Sequence, residues 1–498
     1  MEKTGTSIVV SSAGFGKIKD DALVIGFFKD KTGLSNELKK FDSDNGNIIS
    51  ECIRSSKFIG EKNSIKSIFL NKSIKNIVLV GLGEEEKYDL SVLSGIIADV
   101  SKRLRDNSTE SFSIYMESFK YNKIDDGQLI EKISLSCLIG LYKFTEYKTK
   151  DKDKIKYIKQ ITIITNSNKN FQDELDYASS VAGAVSKTRD LVNTPPNVAT
   201  PEFVANYARE LARKSGIKCT IFDEKQISKM KMGCFSAVGK GSVNKPRLVV
   251  LEYNGGKGKP VAIVGKGVTF DSGGLNVKPY PYILNMKDDK GGAISAIHVL
   301  EACAKLKLPV NVMSITPLCE NMIDANAYRP DDVLTAYNGM TIEIKNTDAE
   351  GRLILADALS YAAEMKPQSI FCLATLTGAS TIVLGSVGTP FLSTEQKLSE
   401  RLKAASEKSL EKIWELPLWP EYEEKIKSDI ADIQNIPDDP EAGVIIGATF
   451  LKNFVNDVPW AHIDIGTTVW SKADKGILAK GATGATVRLM MEMLREWK

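Results

Sequence analysis

From residue 190 onward, short apolar runs of strand length alternate with longer runs of helical periodicity, and this alternation leaves few folds open. Strands are expected at 247–253, 261–264, 310–315, 369–376 and 462–465, and helices at 201–214, 291–306, 352–364 and 444–455. A strand, a helix and a further strand in succession call for crossover connections, which build a mostly parallel sheet wrapped by helices. In such sheets a site lies at the carboxyl ends of the strands. Residues 1–170 carry a similar pattern, with strand-like runs at 7–10, 23–28, 76–80 and 160–165 and an amphipathic stretch at 90–104. At 498 residues the chain exceeds what one core usually serves. The expectation is an α/β protein of two domains, a smaller N-terminal α/β domain over 1–170 and a C-terminal domain over 171–498. Residues 171–189 read as a connecting helix, with Leu175, Ala178, Val181 and Val185 on one face, and Pro195 and Pro196 beyond it force an extended turn.

Composition excludes several classes of function. Net charge is +3, from 66 basic and 63 acidic residues, so nothing electrostatic marks nucleic acid or an anionic membrane as the main partner. No apolar run reaches spanning length, and residues 1–5 do not open a signal peptide. The seven cysteines form no CxxC pair and read as reduced thiols of a cytosolic protein. Only two histidines occur. Both His298 and His462 sit in apolar runs and read as satisfied core or supporting residues. A His-based zinc site or a Ser-His-Asp triad is therefore poorly supplied, and any metal must be held mostly by oxygen. The Val80, Gly81, Leu82, Gly83 run reads as a tight turn, because a third glycine is missing and Glu84, Glu85 and Glu86 would repel phosphate.

The chemistry concentrates at residues 346–353: Asn346, Thr347, Asp348, Ala349, Glu350, Gly351, Arg352 and Leu353. Two carboxylates, a glycine and an arginine fall within five residues, at the mouth of an apolar helix-like run. Charge that dense is costly there unless something binds it. Taken alone, the stretch also reads as a solvated helix N-terminus with acidic first-turn residues. Its natural partner is 264–274, where Lys266 stands between Gly265 and Gly267 and Asp271 follows.

Asp271, Asp289, Asp348 and Glu350 are candidate ligands whose mutual repulsion two divalent cations would cancel. Spacing does not choose between Asp288 and Asp289. Oxygen donors suit Mg²⁺ or Mn²⁺ and tolerate Zn²⁺ or Co²⁺. Beside such ions Lys266 would act as a neutral amine, whereas a protonated Lys278 could stabilise a developing oxyanion. Arg352, at a helix start, could hold bicarbonate or a substrate carboxylate. Together these residues read as a two-metal hydrolase centre. A two-metal phosphoesterase would use similar carboxylates, but the anion candidates here number only one arginine and one lysine.

At these residues the chain closely resembles the leucyl aminopeptidase (cytosol aminopeptidase) family. The likeness runs through 190–197, 232–242, 264–274, 286–289, 346–353, 374–378 and 428–432; the first region matches weakly, at 77–83. Residues 346–353 match the family's signature octapeptide. The resemblance implies a cytoplasmic metallo-exopeptidase that removes N-terminal residues from peptides. It implies two divalent ions per subunit, Mn²⁺ or Zn²⁺ with Co²⁺ or Mg²⁺ as alternatives, and a homohexamer. By motif position, Lys266, Asp271, Asp289 and Glu350 hold the tighter ion, and Asp271, Asp348 and Glu350 the more exchangeable one. Lys278 takes the electrophilic role, and Arg352 holds a bicarbonate that acts as general base. Met286, Thr375, Gly378, Gly466 and Val469 line the pocket for the first substrate residue, which looks apolar and suits Leu-like or Met-like side chains. The chain departs from the family where Lys290 and Gly291 follow Asp289, at 442–448, and at Asp464, Ile465, Gly466 and Thr467. No expected ligand is lost.

Overall fold

The computed structural model describes residues 5–497 except 32, 71–73, 123 and 440. Its contacts divide the chain into two units. One runs to Ala182 and takes in Ala473–Ala479; the other holds Gly183–Lys472 and the residues from Lys480 on. The division lies inside the helix Gln172–Asn193.

In the first unit, six strands among the described residues form one sheet. Its spatial order is Ser7–Ser11, Gln160–Ile164, Ser111–Tyr115, Ala22–Phe28, Asn76–Gly83 and Ile65–Phe69. All pairs are parallel except the last. Ala22–Phe28 is buried throughout, and its side chains alternate between two cores. Ala22, Val24 and Phe28 join one, while Leu23, Ile25 and Phe27 join the other. The glycines at 81 and 83 do not make the expected tight turn, because the strand Asn76–Gly83 runs through them, buried. A Cβ on Gly81 would lie 2.0 Å from the Glu61 carbonyl oxygen, so glycine is present for close backbone approach and not for a reversal.

The second unit is built on a sheet of nine strands among the described residues. Four central strands run parallel in the order Trp460–Asp464, Ser369–Ala374, Val261–Gly265 and Asn311–Asn321. Val261–Gly265, Ser369–Ala374 and Trp460–Asp464 are buried along their whole length, as strands covered on both faces must be. Antiparallel partners flank this core: Thr389–Ser393 on one side, Arg247–Asn254 and Lys218–Phe222 on the other. Asn311–Asn321 outruns the expected strand by six residues, since Gly267–Asp271 pairs in parallel with its far end. Pro317 falls between the stretch paired with Val261–Gly265 and the stretch paired with Gly267–Asp271. The helix Glu350–Glu364 is buried from Glu350 to Ser360, and only its last turn reaches the surface, at Tyr361 and Glu364. Its Leu353 and Ile354 share a core with Val264, Ile315, Ile370 and Trp460.

Parallel pairing brings the ends at Gly265, Asp271, Asn321, Ala374 and Asp464 to one edge of the sheet. All seven cysteines are free. Among the described residues no helix is long and apolar enough to cross a membrane.

Candidate metal centre

Each charged group at this edge follows from a local feature of the chain. Lys266 leaves the strand Val261–Gly265 directly, and Asp271 ends Gly267–Asp271. Asp289 lies in the 3-10 turn Met286–Lys290, just before the helix Gly291–Lys305. Asp348 sits in a turn that Asn346 closes, its N–H donating to Asn346 Oδ1 at 2.7 Å. Glu350 opens the next helix, two residues earlier than the expected start.

The lysines and carboxylates interlock. Lys266 Nζ lies 2.7 Å from Asp289 Oδ1 and 2.9 Å from Glu350 Oε1, and donates to the Thr375 carbonyl at 2.8 Å. Gly351 makes room for it, since a Cβ there would lie 2.4 Å from Lys266 Cε. Lys278 Nζ lies 2.9 Å from Asp271 Oδ2 and 2.5 Å from Asp348 Oδ1. Asp271 Oδ1 accepts from Gly273 N and Asn321 Nδ2, both at 2.8 Å. Asp271, Asp348 and Glu350 offer oxygens within 4.8 Å of one another. Asp289 lies outside that trio and is tied to it through Lys266. Of the two adjacent acids, Asp289 is the one in contact with Lys266 and with Thr375 Oγ1, at 2.7 Å from each.

Four carboxylates against two ammonium groups leave a net negative, buried cluster. Burial, with Asp271 beside it, pushes Glu350 up to about 8. The same causes push Asp348 up to about 6, and burial raises Asp289 as well. Burial alone would lower the lysines, but the surrounding carboxylates outweigh it and hold Lys266 and Lys278 above the usual lysine range. Without ions, Lys266 is thus an ammonium standing where positive charge is required, and only a dication makes its neutral amine favourable.

Oxygen donors are left over. Asp289 Oδ2 is buried with no hydrogen-bond partner, and Asp348 Oδ1 has only the Lys278 ammonium beside it, in poor hydrogen-bond geometry. Open carboxylate oxygens in a buried, negative cluster fit a pair of hard divalent cations.

Arg352 stands apart from these contacts. It is buried, donates from Nη1 to the Asn435 carbonyl at 2.6 Å, and lies 5.9 Å from the Phe450 ring centre. Burial lowers its guanidinium to about 10, against Glu350 and Asp464. Among the expected pocket residues, Met286 shares the turn of Asp289. Thr375 follows the strand Ser369–Ala374, and Gly378 is exposed beyond it. Gly466 fits under the Thr377 carbonyl, where a Cβ would approach to 2.6 Å, and Val469 packs on Gly291. Lys290 is fully enclosed, with Nζ donating to the carbonyls of Val192, Thr194 and Lys287.

His298 is satisfied, by Thr188 Oγ1 at 3.0 Å and Tyr207 OH at 2.8 Å. His462 corrects the expectation: neither ring nitrogen has a well-formed hydrogen bond, and the ring stacks on Trp460 instead.

Four residues of the site were not found by sequence reasoning. Asn321 and Asp464 are polar residues that end buried strands, a signal that would have revealed them. Tyr328 and Asn435 sit in loops and carried no signal. Asn435 Oδ1 accepts from Lys345 N, and its Nδ2 donates to the Asn346 carbonyl. Asp464 binds Thr377 Oγ1 and the N–H of Leu376 and of Gly466.

Comparison with known proteins matches residues 186–491 to the catalytic domain of the cytosol aminopeptidase family and 24–151 to its N-terminal domain. A probable cytosol aminopeptidase of Geobacter sp. (strain M21) is 38% identical over 485 residues, covering 95% of this chain and 96% of that one. The protein of the same name from Alkaliphilus metalliredigens is 36% identical, covering 95% and 96%. Among solved structures, a mutant tomato leucine aminopeptidase superposes with a TM-score of 0.88 at 29% identity, covering 99% of this chain and 97% of that one. The bottromycin maturation enzyme BotP in complex with Mn superposes with a TM-score of 0.85 at 28% identity, covering 96% and 99%.

Proposed function

The chain belongs to the cytosol aminopeptidase family and is a peptidase, and from that premise we propose a two-metal exopeptidase that cleaves the N-terminal peptide bond of peptides. The observation that carries this reading is the convergence of Asp271, Asp348 and Glu350 within 4.8 Å, with Asp289 joined to them through Lys266.

Lys266, Asp271, Asp289 and Glu350 would hold the tighter ion, and Asp271, Asp348 and Glu350 the more exchangeable one. Mn²⁺ or Zn²⁺ suits these donors, with Co²⁺ or Mg²⁺ as alternatives. When bound, such ions supply Lewis acidity toward a carbonyl and lower the pKa of water.

The chain's own residues do the rest. Lys278 keeps its proton among the carboxylates and places it where negative charge grows on the scissile carbonyl oxygen. Arg352 commits one donor to the Asn435 carbonyl, leaving others to hold a small anion such as bicarbonate as proton acceptor. Met286, Thr375, Gly378, Gly466 and Val469 would receive the first side chain of the substrate. Lys290 Nζ donates to three backbone carbonyls, and burial lowers its ammonium to about 7. An apolar pocket favours Leu-like or Met-like residues. A homohexamer and a cytoplasmic location extend this reading from the family; light scattering of the purified protein measures the first.

The direct experiment is hydrolysis of leucine p-nitroanilide after loading with Mn²⁺, Zn²⁺, Co²⁺ or Mg²⁺ in turn. Metal-dependent release of nitroaniline is expected. A folded protein inert with every ion refutes the assignment.

A further inference from the structure

One side chain bridges the two chain segments that carry the carboxylate trio. Asn321 ends its strand directly beside Asp271 in the parallel register. One N–H of its amide donates to Asp271 Oδ1 at 2.8 Å, and Nδ2 also donates to the Thr347 carbonyl at 3.0 Å. That carbonyl immediately precedes Asp348, and Tyr328 OH donates to it as well, at 2.6 Å. Thr347 is held from its other side: its Oγ1 donates to the Gly273 carbonyl at 2.7 Å, and its N–H donates to Asn276 Oδ1 at 2.8 Å.

The amide has one orientation open to it. Turned over, its oxygen would face a carboxylate and a carbonyl, both acceptors. The cost of the chosen orientation is visible, because Asn321 Oδ1 is buried with no partner. A buried amide that leaves its oxygen unsatisfied in order to place both donors is doing so for the segments it joins.

We propose that Asn321, supported by Tyr328, is a positioning residue that sets the separation of Asp271 from Asp348 and so the affinity for the second, more exchangeable ion. The inference rests on the two-metal reading above. Lys266 and Asp289, which serve the first ion alone, make their contacts with each other, Glu350 and Thr375, so the clamp reaches the first ion through the shared Asp271 and leaves that ion's other donors in place. Outer hydrogen-bond partners of this kind change metal affinity by roughly 10- to 100-fold.

The test is calorimetric titration of the metal-free protein with Mn²⁺, with bound ions counted independently by atomic emission after gel filtration. Wild type is expected to bind two ions; a folded wild type that binds none removes the two-metal reading itself. Asn321→Ser is expected to keep the first ion and to bind the second roughly 10- to 100-fold more weakly, with turnover recovering as Mn²⁺ is raised. Tyr328→Phe, which removes one of the two donors to the Thr347 carbonyl, shifts the second ion in the same direction by less. A wild type with two ions and an Asn321→Ser variant of equal affinity for both overturn the inference. So does loss of both ions from a variant that still melts at the wild-type temperature. Should Asn321→Ser not fold, the Tyr328→Phe titration decides: wild-type affinity there overturns the inference.

Discussion

Lys278 and Arg352 are both cations near the same centre, and their surroundings separate what each does. Lys278 touches two of the proposed ligands, whereas Arg352 is anchored on the Asn435 carbonyl and the Phe450 ring. Lys278→Ala is therefore expected to lower kcat by roughly 100-fold or more with little change in KM, as for loss of a group that acts on developing charge. Arg352→Ala is expected to cost less, because water or free bicarbonate substitutes. Steady-state kinetics of the two variants check this, and equal, total loss in both would merge the roles. Gly351 offers a separate probe of Lys266. A methyl there would enter the space of Lys266 Cε and Nζ, so Gly351→Ala is expected to lose about 1–3 kcal/mol of stability and to weaken the first ion, read by melting and by metal titration. Much of this scale was legible beforehand, because carboxylates, lysines and glycines at short spacing have few bland explanations. Asn435 and Tyr328 were not, since a lone polar residue in a loop carries no mark of what it will face.

Among elements, the central strands and the enclosed helices were readable from apolar runs alone. The misreadings share one cause, a partner far away in sequence. The strand Asn311–Asn321 continues past Pro317 because Gly267–Asp271 arrives to pair with it. Gly81 lies in a strand because the backbone near Glu61 crosses it. The helix Val487–Arg495 shows the same dependence at its start. Thr486 at its N-cap makes no side-chain cap; instead Glu411 accepts from the N–H of Thr486 at 2.6 Å, of Arg488 at 3.0 Å and of Leu489 at 3.3 Å. A carboxylate on the free donors of a helix start satisfies them and suits the local dipole. Glu411→Ala is expected to destabilise the protein by about 1–2 kcal/mol while leaving kcat unchanged. Chemical denaturation and a peptidase assay on the same sample check both halves.

At the scale of the whole molecule, two buried histidines couple folding to acid. Burial lowers His298 and His462 to about 3 from an ordinary value of 6.5. Above 6.5 neither the folded nor the unfolded form binds the proton, so the contribution is fully present. As pH falls from 6.5 toward 3 the unfolded chain takes up protons that the fold refuses, and stability is lost, on the order of a few kcal/mol for each ring. His462→Phe keeps an aromatic ring against Trp460 and gives up no well-formed hydrogen bond. It is expected to flatten part of the fall in melting temperature between pH 6.5 and 4, measured by calorimetry beside wild type in the same Mn²⁺ buffer. Parallel slopes for the two proteins would place the acid sensitivity elsewhere.

The amino-acid order by itself determined the α/β alternation, the parallel core, and which carboxylates and lysines were candidates, because periodicity and charge density are local properties of a chain. Spacing left Asp288 and Asp289 open, the family motif selected Asp289, and the structure puts that residue against Lys266; only the tertiary structure decided that Arg352 leans on Asn435 and Phe450, and that Asn321 joins Asp271 to the segment of Asp348. Those outcomes depend on register and crossover between segments some 20 to 110 residues apart, where the geometry of sheet pairing, and no neighbour in sequence, selects which polar groups share a buried space.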